Sequence, residues 1–305
     1  MAFTAADVKN LREMTGVGMM DCKKALSASD GDMDKAVEYL REKGLAASAK
    51  KAGRIAAEGM AYAAVIDGVG VVVEVNAETD FVGKNEKFVD FVKGVANTVA
   101  KEAPVDLDAL MGCKFDGGNQ TVTEQQQEMV LVIGENIKVR RFVRYADGVS
   151  VPYIHAGGKI GVLVNLSVEG DAPASVLEMG KDLAMQIAAL NPRFWDKSQV
   201  TEDVLAEEKK IMLAQMDNDP KMSSKPAQVK EKIVAGKIDK FYAENCLLQQ
   251  DFVKDNSMTV EQYMASVAKA AGVKVSLRSA TRFEKGEGIE KKQEDFAAEI
   301  ASMIK

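Results

Sequence analysis

Residues 59–76, with the sequence GMAYAAVIDGVGVVVEVN, carry the clearest structural pattern of this chain. Two runs rich in valine and alanine, 59–66 and 69–76, flank Asp67-Gly68, a dipeptide that favours a tight turn between antiparallel strands. A segment from about 84 to 101 follows, in which apolar residues recur at helical spacing. The hairpin and the helix together predict one half of an α+β core.

The same order of elements recurs around residues 151–166, VPYIHAGGKIGVLVNL. Strands over 151–155 and 160–166 surround a Gly157-Gly158 turn, and a helix is predicted from about 174 to 190. At one constant offset, five residues of the first copy are identical in the second: Tyr62 and Tyr153, Gly70 and Gly161, Val71 and Val162, Val73 and Val164, and Asp80 and Asp171. The sequence therefore predicts two related half-cores, each an antiparallel sheet with a helix, that arose by duplication.

The first part of the chain predicts a small helical bundle. Thr4 and Asp32 are suited to cap a first and a third helix, and residues 15–18 form a turn before the second. Gly44 is predicted to end the third helix, after which a basic, alanine-rich stretch leads to the sheet. Three short helices with a Gly-Met-Met turn resemble a ubiquitin-associated (UBA) bundle.

The remaining segments complete the half-cores and add an arm. Residues 129–133 and 136–145 alternate apolar and polar residues, which is typical of strands, and Arg140-Arg141-Phe142 is expected to complete the first sheet. Two amphipathic helices, 202–217 and 227–245, predict an antiparallel helical hairpin, or coiled coil. Further on, the pattern predicts a helix over 259–271, an edge strand over 273–283 and a final helix carrying Phe296, Ala297, Ile300 and Met303.

These segments predict a division of the chain into domains. The parts are a UBA-like bundle with its linker (1–54), a first core subdomain (55–146), a second core subdomain (147–198, completed by 247–280), an inserted helical hairpin (199–246) and a C-terminal module with a C-terminal helix (281–305).

The composition argues against several classes of function. The formal net charge is -6, so binding dominated by nucleic-acid phosphates is not expected. His155 is the single histidine and the three cysteines are scattered, which argues against a histidine-dependent nucleophile, a zinc site and a disulfide framework. The sequence shows neither a signal-peptide pattern nor an apolar run that could cross a bilayer. We therefore expect a cytoplasmic protein that binds neither membranes nor nucleic acid directly, and the composition argues against an enzyme, a cofactor or a metal site without excluding an enzyme that uses a carboxylate pair.

The corner after the first hairpin differs between the two copies. The first copy, NAETDFV at 76–82, places Asp80 beside Phe81, whereas the second keeps an aspartate but has Ala172 at the phenylalanine position. One interpretation is structural: Asp80 caps the following helix and Phe81 packs locally as a hydrophobic staple. The other is that the first copy presents an aromatic ring and a carboxylate to a partner. The residues alone leave both open.

Four motifs, in order along the chain, resemble those of the elongation factor Ts family. They are LREMTGVGMMDCKKAL at 11–26, TDFV at 79–82, GENIKVRR at 134–141, and RFEKGEGIE at 282–290 followed by DFAAE at 295–299. The resemblance implies a translation elongation factor of protein biosynthesis. It also implies that the protein acts as a guanine nucleotide exchange factor, which releases GDP from elongation factor Tu by disturbing its magnesium and nucleotide site.

The resemblance also implies three groups of contact residues. Thr79, Asp80, Phe81 and Val82 would form a wedge at the nucleotide site. Docking on the GTPase domain, to which the final helix would return, would involve Leu11, Arg12, Met19, Met20 and Lys23. His155 and Val253 would contact the third domain of elongation factor Tu. Lys254 departs from the family pattern, because an apolar residue is expected there.

The residues leave alternatives open. Glu78 and Asp80 could form the carboxylate pair of an enzyme. Residues 4–45 could be a ubiquitin-type or nascent-chain binding module, and residues 199–246 could be the arm of a structural protein. Whether the helical hairpin makes a homodimer is open as well.

Overall fold

The computed structural model describes residues 3–290 as a mixed α+β protein, which confirms the predicted fold class at this level. In this part of the chain the helices are α1 (Ala5–Thr15), α2 (Met19–Ala28), α3 (Met33–Lys51), α4 (Glu86–Glu102), α5 (Leu107–Gly112), α6 (Val122–Ile133), α7 (Ala174–Leu190), α8 (Glu202–Asn218), α9 (Ala227–Asn245) and α10 (Val260–Ala271). The strands are β1 (Glu58–Ile66), β2 (Val69–Ala77), β3 (Lys138–Tyr145), β4 (Val149–His155), β5 (Ile160–Val168), β6 (Asp251–Phe252), β7 (Asp255–Thr259) and β8 (Val275–Glu284). The predicted final helix lies outside the described residues.

The helices α1 to α3 enclose a small apolar cluster that includes Leu11, Leu26 and Leu40. Thr4 and Asp32 cap α1 and α3 as predicted. The prediction that Gly44 ends α3 is wrong, because the helix continues to Lys51. Gly44 is buried, and a Cβ atom there would lie 3.4 Å from the carbonyl oxygen of Gln127 in α6. The glycine therefore permits close packing of α3 on α6.

The first sheet has the strand order β1-β2-β3, and all its pairs are antiparallel. Ile66 pairs with Val69 across the Asp67-Gly68 turn, as predicted. The α4 helix covers one face of the sheet and buries Val71, Val73 and Val75 of β2 against its own apolar stripe. Residues 129–133 are not a strand but the end of α6, and the sequence reading assigned no helix to α5 or α6.

The second sheet repeats this plan with the order β4-β5-β8, and α7 covers it. The predicted edge strand is β8, which pairs with β5. A β-bulge interrupts the β2–β3 register between Glu74 and Val75, and another interrupts the β5–β8 register between Asn165 and Leu166. These are equivalent positions of the sequence repeat, so the two half-cores share an irregularity as well as an order of elements.

The two sheets pack face to face. Ala61, Ala63 and Val72 from the first sheet meet Leu163 and Phe283 from the second. The central body therefore has four layers, α4, first sheet, second sheet and α7, because each sheet is apolar on both faces.

The helices α8 and α9 pack on each other through Met216, Val234 and Ile238. A second cluster at their base, which includes Val200, Phe241 and Cys246, joins them to the segment after α7. Two apolar residues of these helices, Ile211 and Val229, are exposed. The predicted domain boundaries stay a prediction.

Candidate partner-binding surface

The corner between β2 and α4 has a buried anchor and an exposed outer part. Val82 is buried in the cluster under α4, and a Cβ atom at Gly83 would lie 2.9 Å from the carbonyl oxygen of Gly59, so the backbone turns tightly against β1. Thr79 and Asp80 are exposed, and the side chain of Phe81 is 81% exposed. The prediction that Val82 contacts a partner is wrong, because its side chain belongs to the core and anchors the exposed tip.

The structural interpretation of Asp80 and Phe81 is also wrong. The cap of α4 is Asn85, whose Oδ1 accepts hydrogen bonds from the backbone N–H groups of Lys87 at 3.0 Å and Phe88 at 3.4 Å. Within residues 3–290 the Asp80 carboxylate makes no hydrogen bond or ion pair. Phe81 is too exposed to act as a staple. We refer to Asp80 and Phe81 as the tip.

Two glutamates hold the backbone just before the tip. The Oε2 atom of Glu135 accepts hydrogen bonds from the N–H groups of Glu78 at 3.0 Å and Thr79 at 2.9 Å, and its Oε1 accepts from the Thr79 hydroxyl at 2.6 Å. In return, Oε1 of Glu78 accepts from the N–H of Asn136 at 2.6 Å. We call this arrangement the carboxylate clasp. The Glu78 carboxylate also pairs with Arg54 at 3.4 Å. It is therefore engaged by a backbone N–H group and by a cation, an arrangement that favours a structural role over a carboxylate pair with Asp80.

A buried carboxylate lies deeper in the same sheet. Glu74 accepts hydrogen bonds from Arg141 at 2.5 Å, from the N–H of Gly286 at 2.8 Å, from Arg140 at 2.9 Å and from Asn76 at 3.0 Å. Burial opposes ionisation, but these hydrogen bonds outweigh it and hold the pKa of Glu74 below its ordinary value. The motifs at 134–141 and 282–290 therefore meet around one carboxylate, where they join the segment after β8 to the first sheet.

The helical bundle offers a second exposed surface. Met19 and Met20, at the start of α2, are 52% and 65% exposed, and Arg12 and Lys23 are exposed as well. Methionine side chains adapt their shape to a partner, which suits them to a contact surface. Leu11 is fully buried among the helices, so the prediction that it docks on a partner is wrong: its side chain supports the bundle from within.

The two residues predicted to contact a third domain lie on separate elements of the second half. His155 ends β4 and is exposed, and its Nδ1 lies 3.0 Å from the Tyr153 hydroxyl. Val253 is 47% exposed in the tight turn between β6 and β7. Both side chains are therefore accessible.

The turn that carries Val253 is fixed to α7. The Nζ atom of Lys254 donates to Asp182 at 2.6 Å, the Tyr263 hydroxyl donates to the same carboxylate at 2.7 Å, and the N–H of Val253 donates to Gln186 at 2.9 Å. Burial, together with the bond to Asp182, raises the pKa of Tyr263. Lys254, the departure from the family pattern, thus has an intramolecular partner and anchors the turn.

Sequence reasoning missed three of these supporting residues. Glu135 lies in the motif GENIKVRR at 134–141, which points to the residue but does not predict its role. Lys87, which donates to the Gly16 carbonyl at 3.2 Å, and Asp182 carry no sequence signal, because their partners come from distant segments.

Two kinds of feature are absent from residues 3–290. None of the helices there combines the length and apolarity needed to cross a membrane. No group of three or more histidine, cysteine, aspartate or glutamate side chains in that part gathers so that it could hold a metal ion.

The fold and the surface define a duplicated α+β scaffold with an aromatic–carboxylate tip and exposed methionines suited to contact with another macromolecule. A family model described as Elongation factor TS matches residues 78–287. The chain is 49% identical to Elongation factor Ts of Trichlorobacter lovleyi over 99% of this chain and 98% of that protein. It is 47% identical to Elongation factor Ts of Syntrophotalea carbinolica over 100% of both chains, and 46% identical to that of Clostridium botulinum over 99% of each. The chain belongs to the elongation factor Ts family of translation factors, which confirms the family predicted from the motifs.

Proposed function

We propose that this protein is a cytoplasmic guanine nucleotide exchange factor that binds elongation factor Tu and releases its GDP. It does so as a binding partner, without enzymatic chemistry or a cofactor of its own. One observation carries the proposal: the Phe81 ring is 81% exposed beside the Asp80 carboxylate, which has no partner among residues 3–290, on a corner whose backbone is held by the carboxylate clasp. An exposed aromatic on a rigid support is suited to enter a partner.

The two tip residues have different tasks. The Phe81 ring enters apolar packing behind the nucleotide site of the GTPase and separates its helices. The Asp80 carboxylate disturbs the water shell of the magnesium ion, because it brings negative charge close to the ion and the phosphates. Both effects lower the affinity of elongation factor Tu for GDP, because they destabilise the GDP-bound form more than the nucleotide-free form. The coupling is reciprocal, so bound GDP lowers the affinity of elongation factor Tu for the exchange factor to the same extent.

The tip cannot supply the required free energy alone. Driving a two-state equilibrium from mostly closed to mostly open takes about 5.5 kcal/mol of differential binding, whereas burial of one phenylalanine contributes about 1.5–3 kcal/mol. The other contacts must hold the factor in place while the tip enters. Met19, Met20, Arg12 and Lys23 on the bundle, with His155 and Val253 on the second half, are exposed and serve this purpose.

The variant Phe81→Ala tests the proposal. We expect GDP release from elongation factor Tu to slow at least about tenfold, because the lost burial is worth about 1.5–3 kcal/mol. Thermal unfolding should stay unchanged, since the ring contributes little to the core. Stopped-flow fluorescence with labelled GDP measures the rate. Val105→Ala, at a side chain that is 90% exposed in the loop before α5, is the matched control and should behave as wild type. An unchanged rate in Phe81→Ala would refute the wedge.

A further inference from the structure

We propose that Glu135 is a positioning residue of the exchange reaction, which fixes the direction of the tip through the backbone of Glu78 and Thr79. This inference rests on the proposed function. The side-chain hydrogen bonds of Glu135 go to Glu78 and Thr79, the residues just before Asp80 and Phe81. Three hydrogen bonds end on its one carboxylate.

The bonds restrain the part of the chain that aims the tip. β2 ends at Ala77, so the sheet ladder fixes the backbone only up to that residue. Glu135 then holds the N–H groups of the next two residues and the hydroxyl of the second. Asp80 follows directly. The carboxylate therefore continues the restraint of the sheet beyond its last strand residue.

The position of Glu135 is itself set by the fold. α6 ends at Ile133, and Gly134 caps the helix with a φ of 86°, a conformation that glycine adopts readily. The chain thereby reverses and brings Glu135 towards the corner. Asn136 donates from its N–H to Glu78 at 2.6 Å and from its side chain to the carbonyl oxygen of Arg54 at 2.8 Å. The segments 78–79 and 135–136 are thus joined by hydrogen bonds in both directions.

The chemistry of the site favours glutamate. All three partners are donors, and an ionised carboxylate is the side chain that offers acceptors only. A glutamine would retain one acceptor oxygen for the two N–H groups, but its amide N–H₂ would face the Thr79 hydroxyl, which would have to rotate to accept, and the negative charge would be lost. An aspartate is shorter by one methylene group. Charge-assisted bonds of this kind also withstand competition from water better than neutral ones, which matters because Thr79 is exposed.

A fixed tip lowers the cost of reaching the nucleotide site. A mobile corner would have to be ordered at the moment of entry, and the loss of conformational freedom would oppose the reaction. Small misplacements at a reacting site can cost large factors in rate. Because the docking surfaces lie elsewhere, loss of the clasp should reduce the maximal rate of GDP release and leave the affinity for elongation factor Tu nearly unchanged.

The experiment compares Glu135→Ala and Glu135→Gln with Glu128→Ala. Glu128 is the matched control because it lies in α6 just before this loop and accepts a hydrogen bond from Gln120 instead.

The first readout is amide hydrogen exchange at Glu78 and Thr79 in the free protein. The second is kcat and KM for GDP release from elongation factor Tu. For Glu135→Ala we expect faster exchange at both amides and kcat reduced about tenfold or more with KM within about twofold. Glu135→Gln should give an intermediate result, and Glu128→Ala should match wild type.

The outcomes separate the two levels of the argument. A wild-type protein that does not release GDP overturns the proposed function, and with it the role in exchange. A wild-type protein that is active, with Glu135→Ala equally active or affected only in KM, overturns the positioning role alone. Unchanged exchange at the two amides also overturns it. Should Glu135→Ala fail to fold, Glu135→Gln decides, because it retains the side-chain shape and one acceptor.

Discussion

The Nζ atom of Lys87 donates a hydrogen bond to the carbonyl oxygen of Gly16 at 3.2 Å. Lys87 lies in the first turn of α4, close in sequence to Phe81, and Gly16 lies in the turn before Met19. The bond therefore connects the corner that carries the tip to the bundle that carries the exposed methionines. This bond adds a direct link between two predicted contact surfaces to the packing of α3 on α6.

Replacing Lys87 should weaken this connection without affecting the tip. We expect Lys87→Met to raise KM for GDP release about threefold to tenfold and to leave kcat unchanged, because a typical intramolecular hydrogen bond is worth about 0.5–1.5 kcal/mol. Lys93→Met is the control, since Lys93 lies on the same helix and, among the residues that the structure describes, pairs with exposed Asp90 alone, at 3.8 Å. Steady-state exchange kinetics measure both constants, and a loss confined to kcat would contradict the prediction.

The buried carboxylate of Glu74 makes stability depend on pH in a defined direction. Its pKa in the folded protein lies below its ordinary value of 4.5. Its contribution to the free energy of unfolding is therefore present above about pH 4.5 and is lost as the pH falls through the lower folded-state pKa. Glu74→Gln should be destabilised by about 3 kcal/mol at pH 7 and should lose less stability on acidification than wild type.

Urea unfolding at a series of pH values measures this difference. Glu207→Gln is the control, because the pair of Glu207 with Lys210 is exposed to solvent and contributes little. Parallel pH profiles for wild type and Glu74→Gln would contradict the assignment.

The anchor of the Val253 turn can be tested through Lys254. Lys254→Met leaves the buried carboxylate of Asp182 with Tyr263 as its remaining partner, so we expect a loss of about 1–3 kcal/mol in stability. Adding Asp182→Asn should restore part of it, because a buried charge without its cation is more costly than a neutral pair. Thermal unfolding measures the effect. Lys274→Met, which breaks an exposed pair with Glu169, should change stability by less than about 0.5 kcal/mol. Equal losses in both lysine variants would argue against the anchor.

The packing of α3 on α6 predicts opposite results for two substitutions of one residue. Gly44→Ala should be tolerated or stabilising by up to about 1 kcal/mol, because alanine favours a helix interior and its Cβ would lie 3.4 Å from the Gln127 carbonyl oxygen. Gly44→Val should cost about 1–3 kcal/mol through overpacking. Gly236→Val in α9 is the control, because a Cβ atom there meets nothing within 4 Å. Marked destabilisation by Gly44→Ala, measured by thermal unfolding, would contradict the described packing.

The sequence predicted the elements that depend on local pattern. Turn residues and periodicity predict the Asp67-Gly68 turn with its flanking strands, and the helices over about 84–101 and 174–190, because both signals act over a few residues. The internal repeat further predicts that the chain forms two similar half-cores, each an antiparallel sheet with a helix. α6 was missed although Thr121 and Glu124 form a capping box at its start, a pattern that is visible in sequence.

The sequence could not tell which side chains of a contact motif face the solvent. Leu11 and Val82 stand in motifs that imply partner contact, yet both are buried. A motif records residue types, and burial depends on the packing of segments distant in sequence. For the same reason the bonds of Glu135 to Thr79 and of Lys254 to Asp182 became visible only in three dimensions.

The plan of the two sheets also determines an order of assembly as the chain leaves the ribosome. The strands of the first sheet lie between residues 58 and 145 and can pair as soon as β3 has emerged. In the second sheet, β5 has only β4 beside it until α8, α9 and α10 have been synthesised and β8 appears. A central strand that keeps one edge unpaired during this time can pair with a wrong strand or with another chain. The first half-core, finished earlier, offers it an apolar face to rest on through Ala61 and Leu163.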